Sequence, residues 1–316
     1  MKPIPKLSDY EYIFGPVPSR RLGISLGVDV MPPKTCTLNC VYCECGRTDR
    51  LTLKTDEYSP TQRICEELSD YLSTGPKLDY ITFSGSGEPL LHSKIGEIIH
   101  FIKVQHPQYR VALLTNGTLC YQPRIQDQLS GVDLVKVSLD TVSEKEFVRL
   151  NRPHPGLELP AIIDGLISVR KVFQQQLWVE VFLVPGINDN AEGLDGLKKI
   201  LRQINPDKVQ VNTLDRPGAE DWVKPVDPAA VKEIAGYLSN AEPISRFDSK
   251  QSKALPVKDF KDRVLATIKR RPCTAEDISE MLDVPLDVVH QYFLGLIEDG
   301  EVAQMTLPRG TFYFKR

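Results

Sequence analysis

Six short apolar runs recur along the first three quarters of the chain, at positions 24–31, 80–84, 110–115, 134–139, 177–184 and 208–212. Each is rich in β-branched or aromatic residues and stops at or near Gly, Pro, Asn or Asp, the pattern of buried strands. Between them the apolar positions change to helical spacing. Ile64, Leu68, Tyr71 and Leu72 share one face after Ser59-Pro60, and Ile95, Ile98, Ile99 and Ile102 share the next. Segments 161–174, 191–204 and 228–240 read the same way. Strands alternating with helices predict a parallel sheet with right-handed crossovers. Six such units are fewer than the eight of a closed barrel. The expected architecture is α/β, a partial (βα)6 TIM-type barrel, with a doubly wound flat sheet as the alternative.

The rhythm breaks at residue 241. Pro243, Ser245, Ser249, Ser252, Lys253 and Pro256 interrupt a stretch of low apolar content, which predicts a linker over 241–257. Beyond it Phe260, Val264 and Ile268 share a face. Thr274 precedes Ile278, Met281 and Leu282, and Pro285 opens a third apolar face ending at Gly300. Two β-like pieces, 302–307 and 311–314, flank Pro308-Arg309-Gly310. Three helices and a hairpin predict a small winged helix-turn-helix domain over 258–316, after a barrel domain over 1–240 that includes an N-terminal extension.

Composition adds mostly exclusions. Thirty-nine Lys and Arg stand against 42 Asp and Glu, so no global field recruits nucleic acid or a membrane surface. No apolar stretch is long enough for a membrane span or placed like a signal peptide, and Arg20-Arg21 lies too deep for an export signal. Seven cysteines, four of them between residues 36 and 45, do not read as a secreted disulfide scaffold; the expected location is cytoplasmic. The candidate recognition helix at 285–299 contains no Lys or Arg. That argues against specific DNA binding. It leaves a protein partner, substrate presentation or a cover over the barrel mouth as roles for the second domain.

The candidate chemistry lies directly after the first strand. Cys36, Cys40 and Cys43 stand at C-x3-C-x2-C spacing, followed by Cys45. Thiolates gathered in one loop suit an iron–sulfur cluster, and three of them leave one iron free of protein ligands. A zinc knuckle using Cys45 as the fourth donor is the alternative, although no second half-site occurs elsewhere. At the end of the second strand stands Gly85-Ser86-Gly87-Glu88-Pro89.

The cysteine loop and this glycine-rich turn together resemble the radical SAM superfamily. The surrounding texture, Phe14 to Gly23 and Gly46-Arg47-Thr48, resembles a subgroup with a C-terminal winged helix, distantly similar to tRNA wyosine-forming enzymes. The likeness spans residues 12–220 and departs at Ser86, where many members have glycine. It implies a [4Fe-4S] cluster on Cys36, Cys40 and Cys43, with S-adenosyl-L-methionine on the open iron. It further implies a 5′-deoxyadenosyl radical acting on an unidentified substrate, with a nucleoside in RNA as the class suggested, and an electron donor such as flavodoxin or ferredoxin. Tyr42 would meet the adenine, Gly85 and Gly87 would let backbone approach the methionine moiety, and Glu88 would accept from its ammonium group.

Asn116, Ser138 and Asp140 end the third and fourth strands, where polar groups suit the cofactor's ribose and carboxylate; a turn or a helix cap explains them equally. Arg20, Arg21 and Arg47 flank the loop and suit an anion or a surface acid. Asp215 and Arg216 end the sixth strand, either facing substrate or pairing with each other. A competing function is a redox-sensing regulator that binds DNA through the winged helix. Such a sensor has no use for the glycine-rich turn.

Overall fold

The computed structural model describes residues 10–19, 21–238, 240–244, 260–307 and 309–315. All six expected runs are strands, and they lie side by side in chain order. The eight-stranded sheet runs β1 (Ile13–Ser19), β2 (Gly23–Val28), β3 (Tyr80–Phe83), β4 (Val111–Leu114), β5 (Leu134–Ser138), β6 (Gln176–Leu183), β7 (Lys208–Thr213), β8 (Ala241–Pro243). The strands β2 to β8 are parallel, and β1 joins β2 antiparallel.

The two edge strands were not expected, and both carry proline: Pro16 and Pro18 in β1, Pro243 in β8. Proline lacks the N–H that a central strand must donate, so it argued against strand in the sequence; an edge tolerates it. The linker expected from residue 241 therefore begins after β8. Its remainder from 245 lies outside the described residues, as do residues 1–9.

Along each central strand the side chains alternate between two very different faces. Leu26 and Val28, Ile81 and Phe83, Val135 and Val137, and Val179 and Val181 point outward into one large core with the helices. The principal helices packed there are α1 (Thr61–Leu72), α2 (Ile95–Gln105), α4 (Glu144–Asn151), α5 (Leu159–Val172), α6 (Ala191–Ile204) and α7 (Pro228–Tyr237), with a short α3 (Pro123–Asp127) between β4 and β5. The opposite face carries Ser25, Thr82, Lys136, Ser138, Glu180 and Asn212, all of which line one cavity. A flat sheet cannot bring side chains from β2 and β7 to one cavity, so the sheet curls as a partial barrel. Below the polar level Leu22, Tyr80, Ala112 and Leu134 form a separate apolar cluster that closes the floor.

Residues 260–315 form α8 (Phe260–Arg270), α9 (Ala275–Leu282) and α10 (Leu286–Glu298) around their own apolar core. A three-stranded antiparallel sheet completes the unit: β9 (Cys273–Thr274), β10 (Val302–Leu307) and β11 (Gly310–Lys315), with β11 in the middle. Thr274 caps α9 in a capping box with Asp277, so the first turn's N–H groups and the cap backbone satisfy one another. Among the described residues no helix is long and apolar enough to cross a membrane.

Candidate functional site

The cysteine loop is strapped to the barrel on two sides. On one side Lys34 N donates to Ser86 O (2.7 Å) and Glu88 N donates to Thr35 O (3.1 Å), joining the loop to the glycine-rich turn. On the other, Asn39 N and Val41 N donate to the carbonyls of Asn151 and Leu150, both at 2.9 Å. The last carbonyls of a helix have no partner within it, and here the loop satisfies two of them at the end of α4. Val41 is fully buried among Leu150, Phe182, Ile187 and Leu214, which anchors the loop by its apolar side chain.

Two of the three cysteine sulfurs face an amide donor. Asn116 Nδ2 donates to Cys36 Sγ and Asn151 Nδ2 to Cys40 Sγ, each at 3.5 Å. The Cys45 thiol donates to Gly85 O (3.7 Å), and the Cys45 side chain beside Cys43 holds that thiol below the ordinary range. Burial pushes Cys36 up to about 12 and Cys40 upward as well. Iron or another cation reverses that preference by deprotonating a coordinating thiol. Three sulfurs in one loop, two of them hydrogen-bonded from outside it, are by their chemistry a donor set that fits a cluster. Among the described residues no three His, Cys, Asp or Glu side chains, these cysteines included, are drawn into a group that could hold a metal ion.

Behind the loop lies a buried polar wall. Asp140 accepts from Tyr42 OH, from Asn151 Nδ2 (2.7 Å) and from Phe182 N (2.9 Å). Glu88 accepts from Leu90 N (3.0 Å), Thr115 Oγ1 (2.5 Å) and Asn116 N (2.8 Å). Asn116 Nδ2 also reaches Thr37 Oγ1 (2.8 Å), while its carbonyl receives Thr118 N (3.0 Å). Burial raises both Glu88 and Asp140 above the ordinary carboxylate range.

This wall changes the roles expected for several residues. Tyr42, Gly85 and Ser138 line the cavity with Cys43 and Cys45. Tyr42 stacks on Phe182 with ring centroids 3.9 Å apart. Glu88, expected to accept from an ammonium group, instead has three intramolecular donors, because its side chain turns down from the loop into the protein. Asn116 and Asp140 likewise hold the loop from behind.

The glycines are required by neighbours in the chain. A Cβ on Gly87 would sit 2.2 Å from Thr35 O, and one on Gly85, at φ +156°, would sit 2.2 Å from the Asp29 carboxyl carbon. Their missing side chains let the turn seat against the cysteine loop and against Asp29, which accepts from Ser86 N (3.1 Å).

Other candidates part company. Arg21 reaches the cavity and pairs with Glu180 at 2.8 Å, whereas Arg47 is exposed and pairs with Glu220 at 3.1 Å; Arg20 is outside the described residues. Asp215 and Arg216 do not pair with each other. Asp215 binds Arg309 (2.5 Å), while Arg216 binds Asp277 (2.9 Å) and Pro272 O (2.7 Å). Arg309 also binds Asp277, so the base between the two hairpin strands turns inward onto the barrel. Thr267, Arg271, Glu276 and Glu280 thereby wall the upper part of a cavity of about 680 Å³.

Asn151, Lys136 and Glu180 were missed in the sequence. A signal existed for the last two, a charge between two valines in each strand, Val135-Lys136-Val137 and Val179-Glu180-Val181, marking the inward face. Asn151 had none, because its partners are 11 and 111 residues away in the chain.

Comparison with known proteins agrees with this arrangement. The model of the radical SAM superfamily matches residues 30–195. A protein of Helicobacter pylori described as a UPF0026 protein is 34% identical over 274 residues, covering 86% of this chain and 88% of that one. A protein of Brachyspira hyodysenteriae described as GTPase Obg is 35% identical over 287 residues; the match covers 91% of this chain but 40% of that protein's length. Among solved structures, a radical SAM methyltransferase from Sphaerobacter thermophilus has the same fold, with a TM-score of 0.53 at 17% identity over 69% of this chain and 65% of that one. The chain belongs to the radical SAM superfamily of enzymes and, within it, to the UPF0026 family.

Proposed function

We propose that Cys36, Cys40 and Cys43 hold a [4Fe-4S] cluster and that the cavity beside them binds S-adenosyl-L-methionine for reductive cleavage. Held by Cys36, Cys40 and Cys43, the cluster would supply the one electron that reductive cleavage of the C5′–S bond needs, with methionine and a 5′-deoxyadenosyl radical as the products. The observation that carries this reading is the loop itself, with three cysteines, two of their sulfurs facing amide donors, and a cavity opening beside Cys43.

The chain's own residues then have distinct tasks. Asn116 and Asn151 hydrogen-bond two ligand sulfurs, contacts of the kind that tune a cluster's potential. Tyr42, with one face against Phe182 and its hydroxyl on Asp140, is a fixed wall for an adenine. Gly85 and Ser138 present backbone and hydroxyl groups to the cofactor. The described residues of the unit read as a winged-helix domain, 260–307 and 309–315, cover the barrel mouth and exclude water. A flavodoxin- or ferredoxin-type protein would supply the electron. The substrate is unidentified, and a nucleoside in RNA enters by family resemblance. The DNA-binding regulator gains no support, since Arg309 is occupied by Asp215 and Asp277.

The test is anaerobic reconstitution with iron and sulfide, reduction, and assay for 5′-deoxyadenosine after adding S-adenosyl-L-methionine. Wild type is expected to form it, and each of Cys36→Ala, Cys40→Ala and Cys43→Ala to lose the brown cluster absorption while Cys45→Ala keeps it. A loaded wild-type cluster that yields no 5′-deoxyadenosine with any reductant would sink the reading.

A further inference from the structure

We propose that the floor of the cavity receives the oxyanion group, a phosphate or a carboxylate, of a small-molecule substrate, bound by Lys136 and Arg21. The proposal deepens the radical reading, which places the substrate in the barrel interior, and names the class of molecule that fits there. One carboxylate, Glu180, is shared by Lys136 Nζ and Arg21 Nη2 at 2.8 Å each. At this level of the cavity wall two cations share one carboxylate, and Asp140 acts on Lys136 as a weaker second counter-charge. Asp140 lies behind the wall with its oxygens on neutral donors. The three side chains of the Lys136, Glu180 and Arg21 group are only 8%, 12% and 19% exposed.

A buried cation without a full counter-charge is costly, and burial lowers the Lys136 ammonium below its ordinary value. An arriving oxyanion would add counter-charge on the cavity side of the Lys136 and Arg21 pair, which both line the cavity, in the geometry for which guanidinium and ammonium groups are suited. The nearest other polar pair, Ser25 and Thr82, bond each other and leave the cations available.

Depth and charge set the size of the substrate. Lys136 lies two residues below Ser138 on β5, about 6.6 Å further from the cysteine loop at the rise of a strand. At the mouth Arg216 is bound to Asp277 and Glu44 and Arg309 to Asp215 and Asp277, and among the described residues Arg271, Glu276 and Glu280 also line the cavity, so acids outnumber bases there. A polynucleotide backbone would have to cross that acidic rim to reach the cations. A cavity of about 680 Å³ suits one small molecule beside a cofactor. A single anionic head on a compact body satisfies both levels.

The test measures binding to the full chain as purified, by equilibrium dialysis at fixed ionic strength, with pyrophosphate, inorganic phosphate and succinate as probes. A saturable site is expected for the phosphate probes or for succinate, and whichever binds names the oxyanion. Arg21→Gln and Lys136→Met are each expected to weaken it about tenfold or more, and Lys136→Arg to retain it. Circular dichroism checks the fold; should Lys136→Met not fold, the more exposed Arg21→Gln decides. Absence of saturable binding for every probe, binding unchanged by Arg21→Gln, or salt-dependent binding of transfer RNA abolished by the same substitutions would each overturn the proposal. Probe binding requires no S-adenosyl-L-methionine cleavage, so its failure is distinct from failure to form 5′-deoxyadenosine.

Discussion

Asp140 and Asp277 each tie three parts of the chain together, but Asp140 does so with neutral donors and Asp277 with two arginines. Asp140 is 4% exposed and receives a phenol, an amide and a backbone N–H. Asp277 sits at the domain boundary, 21% exposed, between Arg216 and Arg309. Burial wins at Asp140 and raises it. At Asp277 burial works upward too, but the two guanidinium groups outweigh it and the carboxyl is lowered. The site is therefore rigid behind the cysteines, where short-range hydrogen bonds operate out of reach of salt. The cover is held by charge, which solvent and ions can weaken.

The largest effect should come from breaking the wall. Asp140→Ala takes their acceptor from the buried Tyr42 hydroxyl and Phe182 N–H, removes the shortest bond of Asn151, and is expected to lower unfolding stability by about 3 kcal/mol or more in guanidinium titrations. A loss under about 1 kcal/mol would mean that the network does not hold the loop. Gly87→Ala is expected to cost about 2 kcal/mol, since its Cβ must displace Thr35 O and with it the start of the loop. Arg309→Ala comes next, at about 1 kcal/mol. Its effect should shrink between about 50 mM and 500 mM salt, whereas that of Asp140→Ala should not.

The smallest and most discriminating difference is in pH. Glu88 and Asp140 are raised in the folded protein, so their contribution is present below the ordinary carboxylate range and is lost as pH rises through their folded values. Asp277 is lowered, so its contribution is present above that range and is lost as pH falls through its folded value. Stability measured between about pH 3 and 7 should fall with rising pH less steeply in Glu88→Gln than in wild type. The same series on Asp277→Asn should lose stability relative to wild type at neutral pH and converge with it in acid. Parallel curves for both variants would erase the distinction.

Much of the site was legible because its parts are local. Cysteine spacing and a glycine-rich turn are read within a dozen residues, and six apolar runs announce six strands. What the sequence did not show was the direction of individual side chains. Glu88 and Asn116 stand beside the right loop, but their side chains turn inward to Thr115 and Thr37. Asp215 and Arg216 are neighbours in sequence and so invite pairing. On successive residues their side chains diverge, and each finds its partner 61 to 94 residues away.

The sequence by itself determined the six central strands with helices between them and the family, because periodicity and short motifs are properties of neighbouring residues. Only the tertiary structure decided which polar groups face the cavity and which brace it. It also decided that Arg309 reaches back to the barrel and that Lys136 and Arg21 share one carboxylate at its floor. Those outcomes depend on the curl of the sheet and the docking of residues 260–315, which bring together groups separated by dozens to more than a hundred positions in the chain.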